Sequence, residues 1–259
     1  MNTKTTLFFL LLLFLISCKK DELQTNIINI NDEIEVFLSQ KPNSNAIAPV
    51  LEISTVDSIS CANTELWVES NLGSQNIEID ILGLVLDGNC VIGNVKPMSE
   101  VILNPNNGNY NLTFDLKNAV KSKGKIEITN DLICLTMSEE TGVVAGHQCI
   151  QRLHPRAVWG YFQCASENDV LKFNTSLAAL PYVGFTGNSG NYGVFRMTEN
   201  RQISLTNIQF DLQQLPKIQQ LYFQISEPDK FLSDLGQILK NFNEYKLELH
   251  FYDGTILKL

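Results

Sequence analysis

No apolar run approaches the roughly 20 residues that a transmembrane helix requires; the longest, residues 7–16, has ten. Histidine is scarce, with only His147, His154 and His250 in 259 residues. The six cysteines include no Cys-x-x-Cys pair, and His-Glu-x-x-His, glycine-rich phosphate loops and EF-hand patterns do not occur. The familiar signatures of zinc, nucleotide and calcium sites are therefore missing, and no cofactor is expected. Bases are few as well: 19 Lys and Arg stand against 28 Asp and Glu, for a net charge of −9. That balance repels phosphate backbones, so nucleic acid is not an expected partner. What remains, 44% hydrophobic and 18% charged, is an ordinary globular composition that excludes wholesale disorder.

The amino-terminal run has a specific reading. Lys4 precedes ten apolar residues whose helix would rise only about 15 Å, so the segment fits the hydrophobic region of a signal peptide and not a stable span. Leu15-Ile16-Ser17-Cys18 follows directly and resembles the lipobox of bacterial lipoproteins. The resemblance implies removal of residues 1–17, a diacylglycerol on the Cys18 thiol and usually an acylated new amino group. At about 0.8 kcal/mol per buried methylene, two or three such chains hold a protein to a membrane durably. Lys19-Lys20-Asp21-Glu22 is similar to the surface-export signal of Bacteroidota lipoproteins, which implies an outer-membrane protein facing the cell exterior, with a periplasm-facing anchor as the alternative. Asp57-Ser58-Ile59 resembles the O-glycosylation tripeptide of that phylum.

Residues 18–46 are polar and Asn-rich and read as a tether, ending in Lys41-Pro42-Asn43-Ser44-Asn45. Within it Ile27, Ile30, Ile34, Phe37 and Leu38 recur at helical spacing, which predicts a short docking helix. Beyond it the chain changes character. Four aromatic residues lie between Cys18 and His154 and sixteen lie after it, whereas four of the remaining five cysteines lie before it. Cores of different material imply two domains, 47–153 and 154–259.

The first domain alternates with period two: Ile77, Ile79 and Ile81, then Leu112, Phe114 and Leu116, then Ile126 and Ile128. Turn signals separate these runs at Asn71-Leu72-Gly73-Ser74, Asp87-Gly88-Asn89, Asn106-Asn107-Gly108-Asn109 and Lys123-Gly124. Short antiparallel strands at this spacing favour an immunoglobulin-like β-sandwich. A two-residue turn at Thr141-Gly142 would set Cys134 opposite Cys149 on paired strands, close enough for a disulfide. That choice leaves Cys61 with Cys90 and Cys164 odd; it is one of three connectivities open to four cysteines. Residues 102–110 resemble the start of the sorting domain of type IX secretion cargo but sit far from the C-terminus, and they read as an Asn-Gly turn between strands.

The second domain is expected to be β-rich, either a β-sandwich or an α+β layer, with one amphipathic helix. Ser226-Glu227-Pro228-Asp229 has the form of a capping box, and Phe231, Leu232, Leu235, Ile238, Leu239 and Phe242 form one stripe, predicting a helix over about 228–243. Residues 158–164, 192–197, 203–210 and 218–225 read as strands, and Asp253-Gly254 as a terminal hairpin turn.

Chemistry is sparse. His147 and His154 near Cys149 and Cys164 lack metal-ligand spacing, and no metal is expected. Gly187-Asn188-Ser189-Gly190-Asn191 resembles the nucleophile loop of serine proteases, but Asn188 replaces its acid and Asn191 its glycine, and no base is recognisable. The stretch is instead a candidate binding loop, 185–193, with Phe185, Asn188, Ser189 and Tyr192 as the residues to test. Trp159, Tyr161, Tyr182 and Tyr192 are the aromatics expected at the surface. The overall expectation is a non-catalytic, lipid-anchored outer-membrane module that binds a partner, an envelope protein or a glycan, or serves as an accessory subunit of an envelope assembly. The alternative is an extracellular glycan-binding protein or hydrolase tethered for nutrient capture.

Overall fold

A computed structural model describes residues 26–28, 33–43, 46–104, 106–117, 120–206, 210 and 215–259. The proposed leader, Cys18 and the export signal lie outside the described residues, as does Ile30. The protein is mainly β, 56% strand, with two helices among the described residues. None of its described helices is long and apolar enough to cross a membrane.

In the first unit a curled, six-strand half-barrel faces a smaller sheet. The larger sheet runs Thr64–Leu72, Asn76–Leu86, Gly108–Leu116, Val120–Ile128, Leu132–Glu139 and His147–Gln151. The long strand Asn76–Leu86 has a divided free edge: Gly108–Leu116 pairs parallel with its first half and Asn26–Ile28 antiparallel with its last three residues. The smaller sheet orders Val143–Val144, Ile34–Asn43, Ala46–Thr55 and Met98–Ile102. Alternation decides which residues meet. Ile79, Ile81, Leu112, Phe114, Ile126, Ile133 and Leu135 from one sheet share a core with Ile34, Val36, Leu51 and Ile53 from the other, all essentially without solvent contact.

Residues 34–43 therefore depart from the expected tether and helix. They form a ten-residue strand paired along its whole length with Ala46–Thr55. Ile34 and Leu38 fit both periods, but buried Val36 fits only period two, and Phe37, which fits only the helical stripe, stands 50% exposed on the opposite face. A ten-rung ladder buries more than a lone amphipathic turn could, and tertiary pairing wins over local spacing.

Cys134 and Cys149 are cross-strand partners with Cα atoms 4.2 Å apart and are bonded, as are Cys61 and Cys90 at 5.1 Å. The register is the one read from the sequence, but the connection is not a two-residue turn. The ladder ends at Thr136 and His147, and between the two strands Val143–Val144 swings out to pair parallel with Ile34–Glu35 in the other sheet. Val143 is buried there, and Ser122 Oγ holds the excursion by donating to Thr141 O at 2.7 Å.

The second unit resolves the open choice in favour of an α+β layer. Its central strand, Ala157–Cys164, is antiparallel to Lys217–Ile225 on one side and Tyr245–Phe251 on the other. Val183–Gly184 and Ile256–Lys258 form the outer edges. Two helices cover one face: α1, Glu167–Ala178, and α2, Pro228–Leu239. The strands flanking the central one are joined through α2, a split β–α–β connection. Val158, Phe162, Leu221, Phe223, Leu247 and Leu249 point to the helices, where they meet Phe173, Leu177, Phe231 and Leu235.

Two sequence expectations change here. Helix α1 was not foreseen, although Ser166 caps it by accepting from Asp169 N at 3.1 Å, and Val170, Phe173 and Leu177 fall on one stripe. Helix α2 begins after Glu227, which makes no side-chain cap; Ser226 lies one residue outside, and Pro228 supplies the first turn. One glycine is dictated by the sheet itself. Gly160 sits at φ +157°, and a Cβ there would lie 1.9 Å from the Glu248 carbonyl oxygen of the neighbouring strand.

Candidate functional site

The face of the five-stranded sheet turned away from the helices carries Trp159, Tyr161, Gln163, Tyr222, Glu248 and His250, because period two sends these residues opposite the apolar ones. A three-stranded ribbon, Gly190–Asn191, Phe195–Met197 and Ile203–Leu205, packs over part of it. Phe195, Met197 and Ile203 from this ribbon join Trp159 and Tyr222 in a third core, to which the first unit contributes Ile47 and Leu153. The two units are thus welded through packed side chains.

A single amide secures the weld. Gln40 has no solvent exposure; its Nε2 donates to Gln151 O at 2.8 Å and to Tyr192 O at 2.9 Å, and its Oε1 accepts from Leu153 N at 3.0 Å. One side chain satisfies backbone groups of both units at the place where neither sheet can. Gly193 completes the fit, with φ +80° and space for a Cβ only 2.8 Å from Ser39 Cα. Other glutamines repeat the device: Gln148 Nε2 donates to Val36 O and Ala145 O, Gln163 to Leu215 O, and Gln224 to Thr186 O.

Two clefts flank this weld. The larger, of about 760 Å³, lies between Phe37, Lys41 and Glu52 of the first unit and Trp159, Glu248 and His250 of the second. The size falls within the range of small-ligand sites. Trp159, although 4% exposed, stacks on His250 with ring centroids 5.8 Å apart and planes 16° from parallel. His250 Nε2 lies 2.7 Å from Glu248 Oε1, and Glu248 Oε2 receives Lys258 Nζ at 3.3 Å and the Tyr161 hydroxyl at 3.4 Å. Partial burial pushes the Glu248 carboxyl up, but the hydrogen bonds and charges of His250 and Lys258 outweigh it, and the group ends below its ordinary value. Burial, then the Glu248 charge, pushes the Tyr161 hydroxyl up. The larger cleft thus presents a fixed anionic–imidazole pair beside an aromatic wall.

The smaller cleft, of about 450 Å³, lies on the other side of the loop 185–193, among Arg152, His154, Asn188 and Tyr222. Burial, with the adjacent Arg156 charge, pulls the His154 imidazole below its ordinary value.

The sequence-derived binding loop is placed between the clefts but is not itself a free ligand loop. Tyr192 is 3% exposed; it stacks on Phe195 and donates to Asn188 O at 2.9 Å. Burial first, then neighbouring Tyr222, pushes its hydroxyl up to about 12. Asn188 and Ser189 are exposed, and Phe185 is partly covered by Phe223. Of the aromatics expected at the surface, Trp159, Tyr182 and Tyr192 are buried; Tyr182 donates to Asp234 and lies beneath Lys230, whose Nζ is 4.9 Å from its ring centroid. Tyr161 is half-buried against Phe210. His147 lies 3.5 Å from Cys149 Sγ, but that sulfur is in a disulfide. Cys164 is a free thiol, fully buried beneath α1, and burial pushes its pKa up. Sequence reading missed Gln40, Glu248 and His250 as a set; the alternation of Glu248 with Leu247 and Leu249 was the only signal, and it says which face they share, not what faces them.

Comparison of the chain with known protein families, curated proteins and solved structures finds no match.

Proposed function

We propose that the protein is a non-catalytic lipoprotein of a bacterial outer membrane, held by acyl chains on Cys18, whose two-unit ectodomain binds a partner in its interdomain cleft. The observation that carries this reading is the cleft of about 760 Å³ whose walls come from both units and are held by the buried Gln40 amide. A site preorganised in this way loses little freedom on binding, which suits recognition. The first unit serves as an immunoglobulin-like β-sandwich scaffold, a reading supported by two sheets sharing one core. Two disulfides support a location outside the reducing cytoplasm. The partner is an envelope protein.

Extracellular glycan capture is the second reading, and the half-exposed ring of Phe37 on the cleft rim beside Lys41 and Glu52 favours it, since sugars stack on flat rings. Two measurements separate the readings. Radiolabelled palmitate should enter the wild type and not Cys18→Ala; incorporation into the variant would refute the anchor. Crosslinked pull-down from envelopes should recover a protein partner whose yield falls in Phe37→Ala. Binding on a glycan array, lost in the same variant, would replace the first reading with the second, and turnover of a polymeric substrate would refute the non-catalytic assignment.

A further inference from the structure

At one end of the half-barrel three chain segments converge. Asn26 pairs with Leu86, and because that pairing is antiparallel, Asn26 sits at the end of the sheet where residues 87–95 begin. Thr64 pairs with the same Leu86, so Cys61, Ala62 and Asn63 arrive there too. The Cys61–Cys90 disulfide, the Ala62 N to Val91 O hydrogen bond at 2.8 Å and the pairing of Ile59 with Val95 make this end a stiff ribbon. Asn63 reinforces it: its amide donates to Asp87 O and to Asn89 O at 3.0 Å, and its Oδ1 accepts from Val91 N at 2.9 Å.

The ribbon holds up two apolar side chains that the described residues leave largely uncovered. Ile92 is 95% exposed and Val91 57%. Such exposure is ordinary for a single residue on a loose loop, but here a disulfide and three side-chain hydrogen bonds rigidify the segment that presents the pair.

We propose that Val91 and Ile92 dip into the bilayer that holds the Cys18 acyl chains, so that the ribbon is a second, apolar foot beside the lipid anchor. The inference rests on the anchor proposed above. Cys18 precedes Asn26 by eight residues, a reach of at most roughly 29 Å at about 3.6 Å per residue. An acylated Cys18 therefore keeps the end of the sheet that carries the ribbon within about 29 Å of the lipid surface, close enough for the ribbon to touch it. The opposite end faces away: Ala46–Thr55 rises about 30 Å from the weld, where Ile47 packs with the second unit, toward the ribbon that starts at Ile59. Two contacts, one covalent and one apolar, fix orientation where a single flexible tether would not, and they display the interdomain cleft outward. Exposed Asp87 at the ribbon's base makes the contact one of apolar burial and not of attraction to anionic headgroups.

The test uses full-length, lipidated protein in phosphatidylcholine vesicles, with bromine-labelled acyl chains as a contact quencher of tryptophan. Ile92→Trp is compared with Leu72→Trp, an exposed position at the far end of the Thr64–Leu72 strand, about 27 Å away. Emission from native Trp67 and Trp159 is subtracted using the wild type. The expected result is that all three proteins float with the vesicles and that brominated lipid quenches the added signal at 92 at least twofold more than that at 72. Flotation with equal or no quenching at the two positions overturns the proposal and leaves the anchor standing; this is also the outcome if a protein partner covers the ribbon. Failure of the wild type to float overturns the anchor and the foot together.

Discussion

Gln40→Leu tests whether the two units form one mechanical body. The substitution keeps the volume of the side chain but removes one acceptor and one doubly used amide group. Leu153 N, Gln151 O and Tyr192 O lose their partner at a site with no solvent contact. A buried polar group without a partner costs about 1–3 kcal/mol. Two of the three bonds involve Tyr192 and Leu153, both buried, and the third is partly buried, so the sum comes to roughly 3–5 kcal/mol. That is a large share of the about 5–15 kcal/mol that stabilises a typical folded protein. With a urea slope of about 2 kcal/mol/M, the unfolding midpoint of the affected unit should fall by roughly 1.5–2.5 M. Trp159 reports on the second unit at the weld and Trp67 on the first, and phenylalanine variants of each isolate the two signals. In the wild type both signals should move together; in Gln40→Leu the Trp159 transition should come first. A loss below about 1 kcal/mol with coincident transitions would show that the third core alone welds the units and that the amide is dispensable.

Two glycine substitutions should act with opposite sign. Gly160→Ala drives a methyl against the Glu248 carbonyl in the middle of the sheet and should cost roughly 3 kcal/mol or more, whereas Gly236→Ala in α2 meets open space and should gain about 1 kcal/mol; thermal denaturation reads both. Glu248 is held below its ordinary value of 4.5 in the folded state, so its stabilising effect is complete above that value and is lost as pH falls through the lower, folded one. The drop in urea midpoint between about pH 6 and about pH 3 should accordingly be smaller in Glu248→Gln than in wild type, and an equal drop would mean that the pair with His250 and Lys258 contributes nothing.

Local patterns were legible wherever one physical constraint acted alone. Alternation marked Ile77–Ile79–Ile81 as a strand because a half-buried sheet face admits no other spacing, and the Cys134–Cys149 register followed from equal distances to a midpoint. The stripe of α2 was likewise visible, while α1 was overlooked because its two buried anchors, Phe173 and Leu177, sit among polar neighbours. Residues 34–43 carried two periodicities at once, and only pairing with Ala46–Thr55 chose between them.

The order of apolar and polar residues along the chain determined that this is a β-rich protein and which side chains share a face, and it favoured the cysteine pairing found over two others. Tertiary structure alone decided that Val143–Val144 leaves its hairpin to join the opposite sheet, that Tyr192 is core, and that Gln40 binds the two units together beside a cleft. The division has a physical origin. Period and turn chemistry are set by neighbours in sequence, whereas burial of Gln40 depends on Gln151, Leu153 and Tyr192, which are more than a hundred residues away and have no local signature.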